Sequence, residues 1–324
     1  MSAPNGSLVV ALGEVAPHLV EAQLPSGARF VPEPSPDDLA DAVGAIVRAD
    51  PVMDAAALDR MPSLKVMART GVGVDNVDVA EASRRGIAVV VTPGTGTNAV
   101  AEGTLAMVLH LVKRLRWATS CVAEGRWAQR GEQTMGDLDG SVIGIVGYGR
   151  IGRRVADLAR AFGMTVLVHD PFIIPESGAV SLEELRRRAH VITLHLPLTE
   201  ATRHLVDDTF LRDVVAGAVL VNCGRGGLLD LDAAHAALLD GRLVGLGLDV
   251  FDPEPPEHHA VFDHENVVLS PHLMGLSAGA TRATFAAAAR GVADVLEGRD
   301  PVAVADPGWR DTSTPVPPTT EATP

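Results

Sequence analysis

Cysteine is scarce in this 324-residue chain, which carries only Cys121 and Cys223. Two thiols build no disulfide framework and match no metal-ligand spacing, so no metal site is expected and a reducing cytoplasm is. No basic start followed by an apolar run opens the chain, so no secretory leader is expected. No apolar stretch approaches the ~18 residues of a membrane-crossing helix, so no membrane is expected. Positive charge is also short: lysine and arginine number 27 against 41 aspartates and glutamates, a net charge of −14. Without a basic stripe to neutralise phosphates, nucleic acid is not expected as a partner. Local arginines still leave small anions open. Lysine is nearly absent beside arginine, and alanine is abundant, which reflects genome composition rather than function.

What remains is an ordinary globular composition, 47% hydrophobic and 21% charged, on a length that favours two domains. Short β-branched runs alternate with helical patterns, the arithmetic of βαβ units and parallel sheets. Buried strands are expected at 8–11, 45–47, 65–68 and 88–91, with helices at 36–43 and 77–85 between them. A second series follows a long helix expected at 98–116. Its strands are expected at 142–146, 165–169, 191–194, 218–221, 243–248 and 267–269, with helices at 151–162, 182–189 and 232–239. Ser181 and Glu184 have the spacing of a capping box. A last apolar helix at 278–296 comes too late for the second sheet and is expected to return to the first domain. From Asp306 the chain is rich in proline and threonine, so 306–324 is expected to be a disordered tail.

The strand at 142–146 runs into Gly147-Tyr148-Gly149-Arg150-Ile151-Gly152, the next strand ends at Asp170, and an amphipathic helix lies between. A lone G-x-G-x-x-G is a weak signal, but strand, loop, helix, strand and acid in this order mark a dinucleotide site. Gly147 permits the tight turn, Gly149 lets backbone approach a pyrophosphate, and Gly152 lets helix and strand pack closely. The helix N-terminus offers free N–H groups to the anion. Asp170 can accept from both ribose hydroxyls and would repel a 2′-phosphate, so NAD is favoured over NADP. The fold class is therefore α/β with two doubly wound parallel-sheet domains. A Rossmann cofactor domain is expected at 98–277, and a flavodoxin-like substrate domain at 1–97 completed by 278–305.

Three further segments sit just past strands: Asn222-Cys223-Gly224-Arg225-Gly226-Gly227, Asp249-Val250-Phe251-Asp252-Pro253-Glu254, and Ser270-Pro271-His272. In a doubly wound sheet, ligands lie beyond the carboxyl ends of strands, so these segments can converge. Reduction of a 2-oxo acid needs a proton donor at the carbonyl, a role suited to His272 near neutral pH. A carboxylate such as Glu254 would favour the charged imidazole and fix its tautomer. The Arg225 guanidinium can hold a substrate carboxylate and polarise the carbonyl. Taken singly, Arg225 and Glu254 read as loop residues, and His272 is the most specific of the three. His195-Leu196-Pro197 ends a strand and is placed to line the cofactor. His258, His259 and His264 fall in a polar loop.

The blocks GYGRIG, Asp170, NCGRGG, DVFDPEPP and SPH, in this order and spacing over roughly 45–298, resemble the D-isomer-specific 2-hydroxyacid dehydrogenases. The loop from Ala68 to Asp78 and the segment Ile46-Val47-Arg48 are most similar to the members that act on 3-phosphoglycerate. The resemblance implies His272 as acid/base, Glu254 as its partner, and Arg225 as substrate ligand. It implies cofactor contacts from Arg150, Ile151, Asp170, Cys223 and Asp249. It implies substrate contacts from the Gly71, Val72 and Gly73 amides, a second anion contact from Arg48, and a homodimer joined through the cofactor domain. Many such members continue into a regulatory domain, so a short form is expected here.

Departures bear on the substrate. Val72 stands where the 3-phosphoglycerate members carry threonine, Gly96 where the family has asparagine, and Met274 where a small residue is usual. Met274 is expected to reshape the pocket beside the nicotinamide. The substrate class is a small anionic 2-hydroxy or 2-oxo acid. Within it stand a 3-phosphoglycerate-like acid, hydroxypyruvate or glyoxylate, and a phosphonate-bearing hydroxy acid. A dinucleotide-sensing binding protein like the transcriptional corepressors of this fold is the non-enzyme alternative.

Overall fold

In the first of two compact units, five short strands lie side by side, and the inner ones are apolar on both faces and must be covered on both. This unit takes residues up to Gly96 and from Ala278 onward, and the second takes Thr97–Ser277. The structure is a computed structural model that describes residues 6–172 and 179–310. The first unit runs β1 (Leu8–Leu12), β2 (Arg29–Val31), α1 (Pro36–Asp41), β3 (Gly44–Val47), α2 (Ala55–Asp59), β4 (Val66–Arg69), α3 (Val79–Arg84) and β5 (Ala88–Val90). The sheet is parallel in the order β2-β1-β3-β4-β5, the flavodoxin arrangement. Helix α1 opens on a full capping box. Ser35 Oγ accepts from the Asp38 amide at 3.2 Å, and the Ser35 amide donates to Asp38 Oδ2 at 3.1 Å.

The last helix, Ala278–Leu296, belongs to this unit and covers one face of its sheet. Phe285, Ala288, Ala289 and Val292 pack on Val9, Ile46, Val66, Ala68 and Val90. Glycine makes the approach possible, since a Cβ on Gly291 would stand 2.5 Å from Val90 Cγ1. The opposite face is covered by Leu58 of α2 and by Val79 and Ala82 of α3.

The second unit runs α4 (Thr97–Val112), α5 (Leu115–Ala123), β6 (Val142–Val146), α6 (Arg150–Ala161), β7 (Thr165–His169), α7 (Leu182–Arg188), β8 (Val191–Leu194), α8 (Asp208–Arg212), β9 (Ala218–Asn222), α9 (Leu231–Leu239), β10 (Leu243–Leu248) and β11 (Val267–Leu269). Its sheet is parallel in the order β11-β10-β9-β8-β6-β7. Ala179 adds a parallel bridge to Val168 of β7. With that bridge counted as a strand, the order is that of a Rossmann sheet with one strand added at the far edge. One face packs under α7, α8 and α9, and the other under α4 and α6.

Several local expectations differ from the structure. The helix expected at 98–116 is two helices, broken at Arg114, whose φ of 47° cannot continue a right-handed helix. Strand β2 and helices α2 and α8 are too short for a periodic signal, although Asp54 and Asp207 cap the two helices by accepting from Ala57 and Phe210 amides at 2.8 Å. At α7, Ser181 Oγ accepts from the Glu184 amide at 3.0 Å, but the Glu184 carboxylate turns to Arg188. The disordered tail expected from 306 does not begin there. Residues 306–310 form a turn, and Trp309 packs against the first unit's core. The rest of that tail, 311–324, lies outside the described residues.

Phe285 is 4% exposed at the centre of the helix–sheet contact. Phe285→Ala is expected to destabilise the first unit by about 3–5 kcal/mol, read as a lowered urea midpoint. An unchanged midpoint would show that the helix is not anchored there.

Candidate active site

The dinucleotide loop leaves β6 at Gly147, whose φ of 92° requires glycine. A Cβ there would also stand 2.6 Å from the His195 carbonyl oxygen. Gly149 caps α6 in an extended conformation, and no atom lies within 4 Å of where its Cβ would be. Open space before a twelve-residue helix N-terminus is what a pyrophosphate needs. Gly152 is buried with its missing side chain directed at the Gly147 carbonyl, so any larger residue would push α6 away from β6. Asp170 Oδ2 accepts from the Tyr148 amide at 2.7 Å and Oδ1 from the Phe172 amide at 2.9 Å. The carboxylate is thereby held at the loop with lone pairs to spare for a ribose. This cradle and acid fit a dinucleotide. Arg150 is exposed and Ile151 half-buried at the start of α6, and Leu196 is half-buried after β8.

The His195 ring is sealed from solvent, and neither nitrogen has a partner. Burial pushes its pKa down to about 3. Burial therefore disfavours its charged form at neutral pH.

At the ends of β9, β10 and β11, three loops meet. His272 Nδ1 lies 2.8 Å from Glu254 Oε2, and the other Glu254 oxygen accepts from the Phe251 amide at 3.0 Å. A carboxylate on Nδ1 makes that nitrogen the donor and leaves Nε2 to carry a transferable proton. The hydrogen bond to Glu254 raises the His272 pKa above its ordinary 6.5, against burial and the nearby Arg225. For Glu254, burial acts upward, but the hydrogen bonds from His272 and Phe251 outweigh it and hold the pKa below 4.5.

The histidine loop is held from beneath. Asp249 is 2% exposed, and burial raises its pKa. Its carbonyl accepts from the His272 amide at 2.7 Å. Its carboxylate accepts from the Leu273 amide at 2.8 Å and from the Met274 amide at 3.2 Å. His272 itself has φ 55°, a left-handed conformation that a side chain occupies only under constraint. Met274 leads away from the histidine toward the neighbouring helix. Its side chain turns onto the bare backbone of Gly103 in α4 and joins that side of the core.

The arginine loop is built on Asn222, which is fully buried. Its Nδ2 donates to the Arg225 carbonyl at 2.9 Å, and its Oδ1 accepts from the Gly224 amide at 3.0 Å. Arg225 Nη1 donates to the Gly224 carbonyl at 2.9 Å, and its charge is felt by both Glu254 and His272. Gly226 brings this loop onto the Glu254 loop, since a Cβ on it would overlap the Phe251 carbonyl group. Cys223 is buried, with its thiol pushed up to about 12 by burial, so it is no nucleophile.

The second unit thus gathers Arg225, Glu254, His272, Asp249, Cys223 and the dinucleotide loop. The remaining sequence-derived residues lie in the first unit. Arg48 follows β3 with its guanidinium 5.5 Å from the centre of the Phe285 ring. Gly71, Val72 and Gly73 follow β4. Thr92 donates from its amide to the Gly71 carbonyl at 3.0 Å, and Arg69 Nε donates to the Gly73 carbonyl at 3.1 Å. Val72 is 48% exposed.

Residues 105–274 match the family described as D-isomer specific 2-hydroxyacid dehydrogenase, NAD binding domain. The chain belongs to this family. Its relatives include D-3-phosphoglycerate dehydrogenase of Homo sapiens, 40% identical over 243 residues that make up 73% of this chain and 45% of the relative. The enzyme of the same name from Methanocaldococcus jannaschii is 36% identical over 81% of this chain and 51% of its own. The chain therefore spans about half the length of these curated relatives. A glyoxylate reductase from Thermofilum pendens is 35% identical over 78% of both chains. Among solved structures, the TT0316 protein from Thermus thermophilus superposes with a TM-score of 0.85 at 35% identity, over 92% of this chain and 100% of its own. D-Lactate dehydrogenase from Aquifex aeolicus, complexed with NAD and lactic acid, gives 0.77 at 27% identity, over 90% and 96%.

Within this family member, sequence reasoning missed the clamping by Asn222 and Asp249 and the close approach at Gly226. An asparagine three places before Arg225 was a usable signal, because a buried amide can bond the loop it opens.

The His272–Glu254 pair has a defined pH signature. A raised histidine pKa adds stability that is full below 6.5 and fades as pH rises through the folded value. A lowered glutamate pKa adds stability that is full above 4.5 and fades as pH falls. The pair therefore contributes most between pH 4.5 and 6.5. Both side chains are partly exposed, so the contribution is under about 1 kcal/mol. The stability gap between wild type and Glu254→Gln is expected to peak in that window and shrink as pH rises above it. A gap independent of pH would contradict the pairing.

Proposed function

We propose that this chain is an NAD-dependent dehydrogenase that moves a hydride between nicotinamide and C2 of a small 2-hydroxy or 2-oxo acid, with a 3-phosphoglycerate-like acid favoured. The observation that carries this reading is the 2.8 Å His272–Glu254 contact at the strand ends, beside Arg225 and in the same unit as the dinucleotide cradle. When bound at Gly147–Gly152 and Asp170, NAD supplies or accepts the hydride. Its contacts would extend to Arg150, Ile151, Leu196, Cys223 and Asp249. His272 Nε2 gives the carbonyl oxygen its proton in reduction and takes the hydroxyl proton in oxidation. Arg225 holds the substrate carboxylate and polarises the carbonyl, and Glu254 keeps the imidazole protonated and aimed. The backbone amides of Gly71, Val72 and Gly73 are assigned to the substrate carboxylate and Arg48 to a second anionic group. Stacking on Phe285 holds the Arg48 cation in place while its planar edge stays able to fork to an anion.

The same trio serves hydroxypyruvate or glyoxylate reduction, a second reading favoured by a glyoxylate reductase of comparable length at 35% identity. Purified protein mixed with NADH and 3-phosphohydroxypyruvate, hydroxypyruvate, glyoxylate or 2-oxoglutarate separates the two. Fast loss of NADH absorbance with the phosphorylated acid, and a KM for it that Arg48→Ala raises far more than the KM for glyoxylate, is the expected result. Activity with the unphosphorylated acids alone selects the second reading. No activity at all, with NADH still bound, leaves a sensor and overturns the enzymatic proposal.

A cytoplasmic homodimer joined through the second unit completes the proposal. In and beside α5, Leu115, Val122 and Trp127 are 47%, 65% and 64% exposed, a concentration of apolar surface that association would cover. Light scattering is expected to give twice the chain mass. A monomer that persists at high micromolar concentration would rule this out.

A further inference from the structure

Met274 follows His272 by two residues, and the chemistry assigned to the trio gives it no part. Its side chain lies along α4 where Gly103 has none. A Cβ built on Gly103 would stand 2.8 Å from Met274 Cγ and 2.9 Å from Met274 Cβ, and closer still to the sulfur. The whole length of the methionine, and not merely its tip, occupies the notch. Gly275 continues the contact, with its Cβ position 3.6 Å from Val100 of the same helix.

We propose that Gly103 and Met274 form a lock that fixes the position of His272, which makes both of them positioning residues for proton transfer. The inference rests on the reading of His272 as the acid/base. Three observations carry it. His272 sits at φ 55°, a conformation that persists only where the surroundings over-determine it. Hydrogen bonds to Asp249 hold the backbone of this loop at His272, Leu273 and Met274. The Met274 side chain supplies the lateral restraint, because it is wedged against a helix that is itself packed on β9, β10 and β11. A thioether chain suits the task, since it fills an irregular notch without branching. The glycine matters as much as the methionine: a methyl at 103 must expel Met274, and a backbone pinned to Asp249 passes that displacement to His272.

Gly103→Ala tests the lock, since on helix propensity alone it is favourable. Its kcat for NADH-dependent reduction of the best 2-oxo acid is expected to fall by ~10–10²-fold, the scale of a misplaced catalytic group, with KM for NADH little changed. The His272 pKa, followed by NMR on histidine-labelled protein and assigned with His272→Asn, is expected to drop toward 6.5 as the ring leaves Glu254. Met274→Gly, which empties the notch without a clash, is expected to move both readouts the same way. Gly103→Ala/Met274→Gly is expected to fall no further than Met274→Gly alone, because with the methionine gone the new methyl displaces nothing. Wild-type kcat and titration in Gly103→Ala, or a loss in the double variant equal to the product of the two single losses, overturns the lock. Should wild type prove inactive with every acid, the enzymatic reading fails, while the NMR comparison still decides the lock.

Discussion

One buried carboxylate holds the candidate site in shape. Asp249 receives the amides of Leu273 and Met274 on its side chain and the amide of His272 on its carbonyl. Without these bonds, nothing in the sequence Ser-Pro-His-Leu-Met would keep a histidine in the left-handed region. Burial raises the cost of ionising Asp249, and the amides aimed at it offset part of that cost, so acid and loop stabilise each other. The His272–Glu254 pair, exposed as it is, inherits its geometry from this buried arrangement and not from its own attraction.

Glycines accomplish the rest by removing side chains where backbones must touch. Gly147 faces the His195 carbonyl, Gly224 lies against the carbonyls of Leu194 and Leu196, and Gly226 lies against Phe251. Successive strand ends are thereby pressed into one layer, β6 against β8, β8 against β9, and the β9 loop against the β10 loop. Glycine runs that read as phosphate or substrate loops have a second task, which is to let adjacent loops share a plane. This explains how three residues far apart in the chain come together at one edge of the sheet.

Much of this was legible beforehand. The dinucleotide loop, Asp170 and the trio follow rules of order and spacing that survive translation into a linear string. The return of the last helix to the first sheet was also readable, because a nineteen-residue apolar helix had no place left in the second. Illegible were features set by contacts between distant segments. The partner of Met274 is a glycine more than a hundred residues earlier, and a glycine advertises nothing about what fills its notch. The break at Arg114 was hidden because arginine is a good helix former, and only the left-handed backbone there reveals the turn. Asp249 read as a residue near the cofactor, since a sequence does not show whether a carboxylate meets solvent or two amides.

The sealed imidazole of His195 has a practical corollary for anyone reading the protein by titration. With both nitrogens shut away from solvent and burial pushing its pKa down to about 3, it favours the uncharged form at neutral pH. A proton taken up close to neutrality at these strand ends therefore falls to His272 before His195. A histidine resonance that moves near neutrality at this edge of the sheet is to be sought in His272 and not in the buried ring.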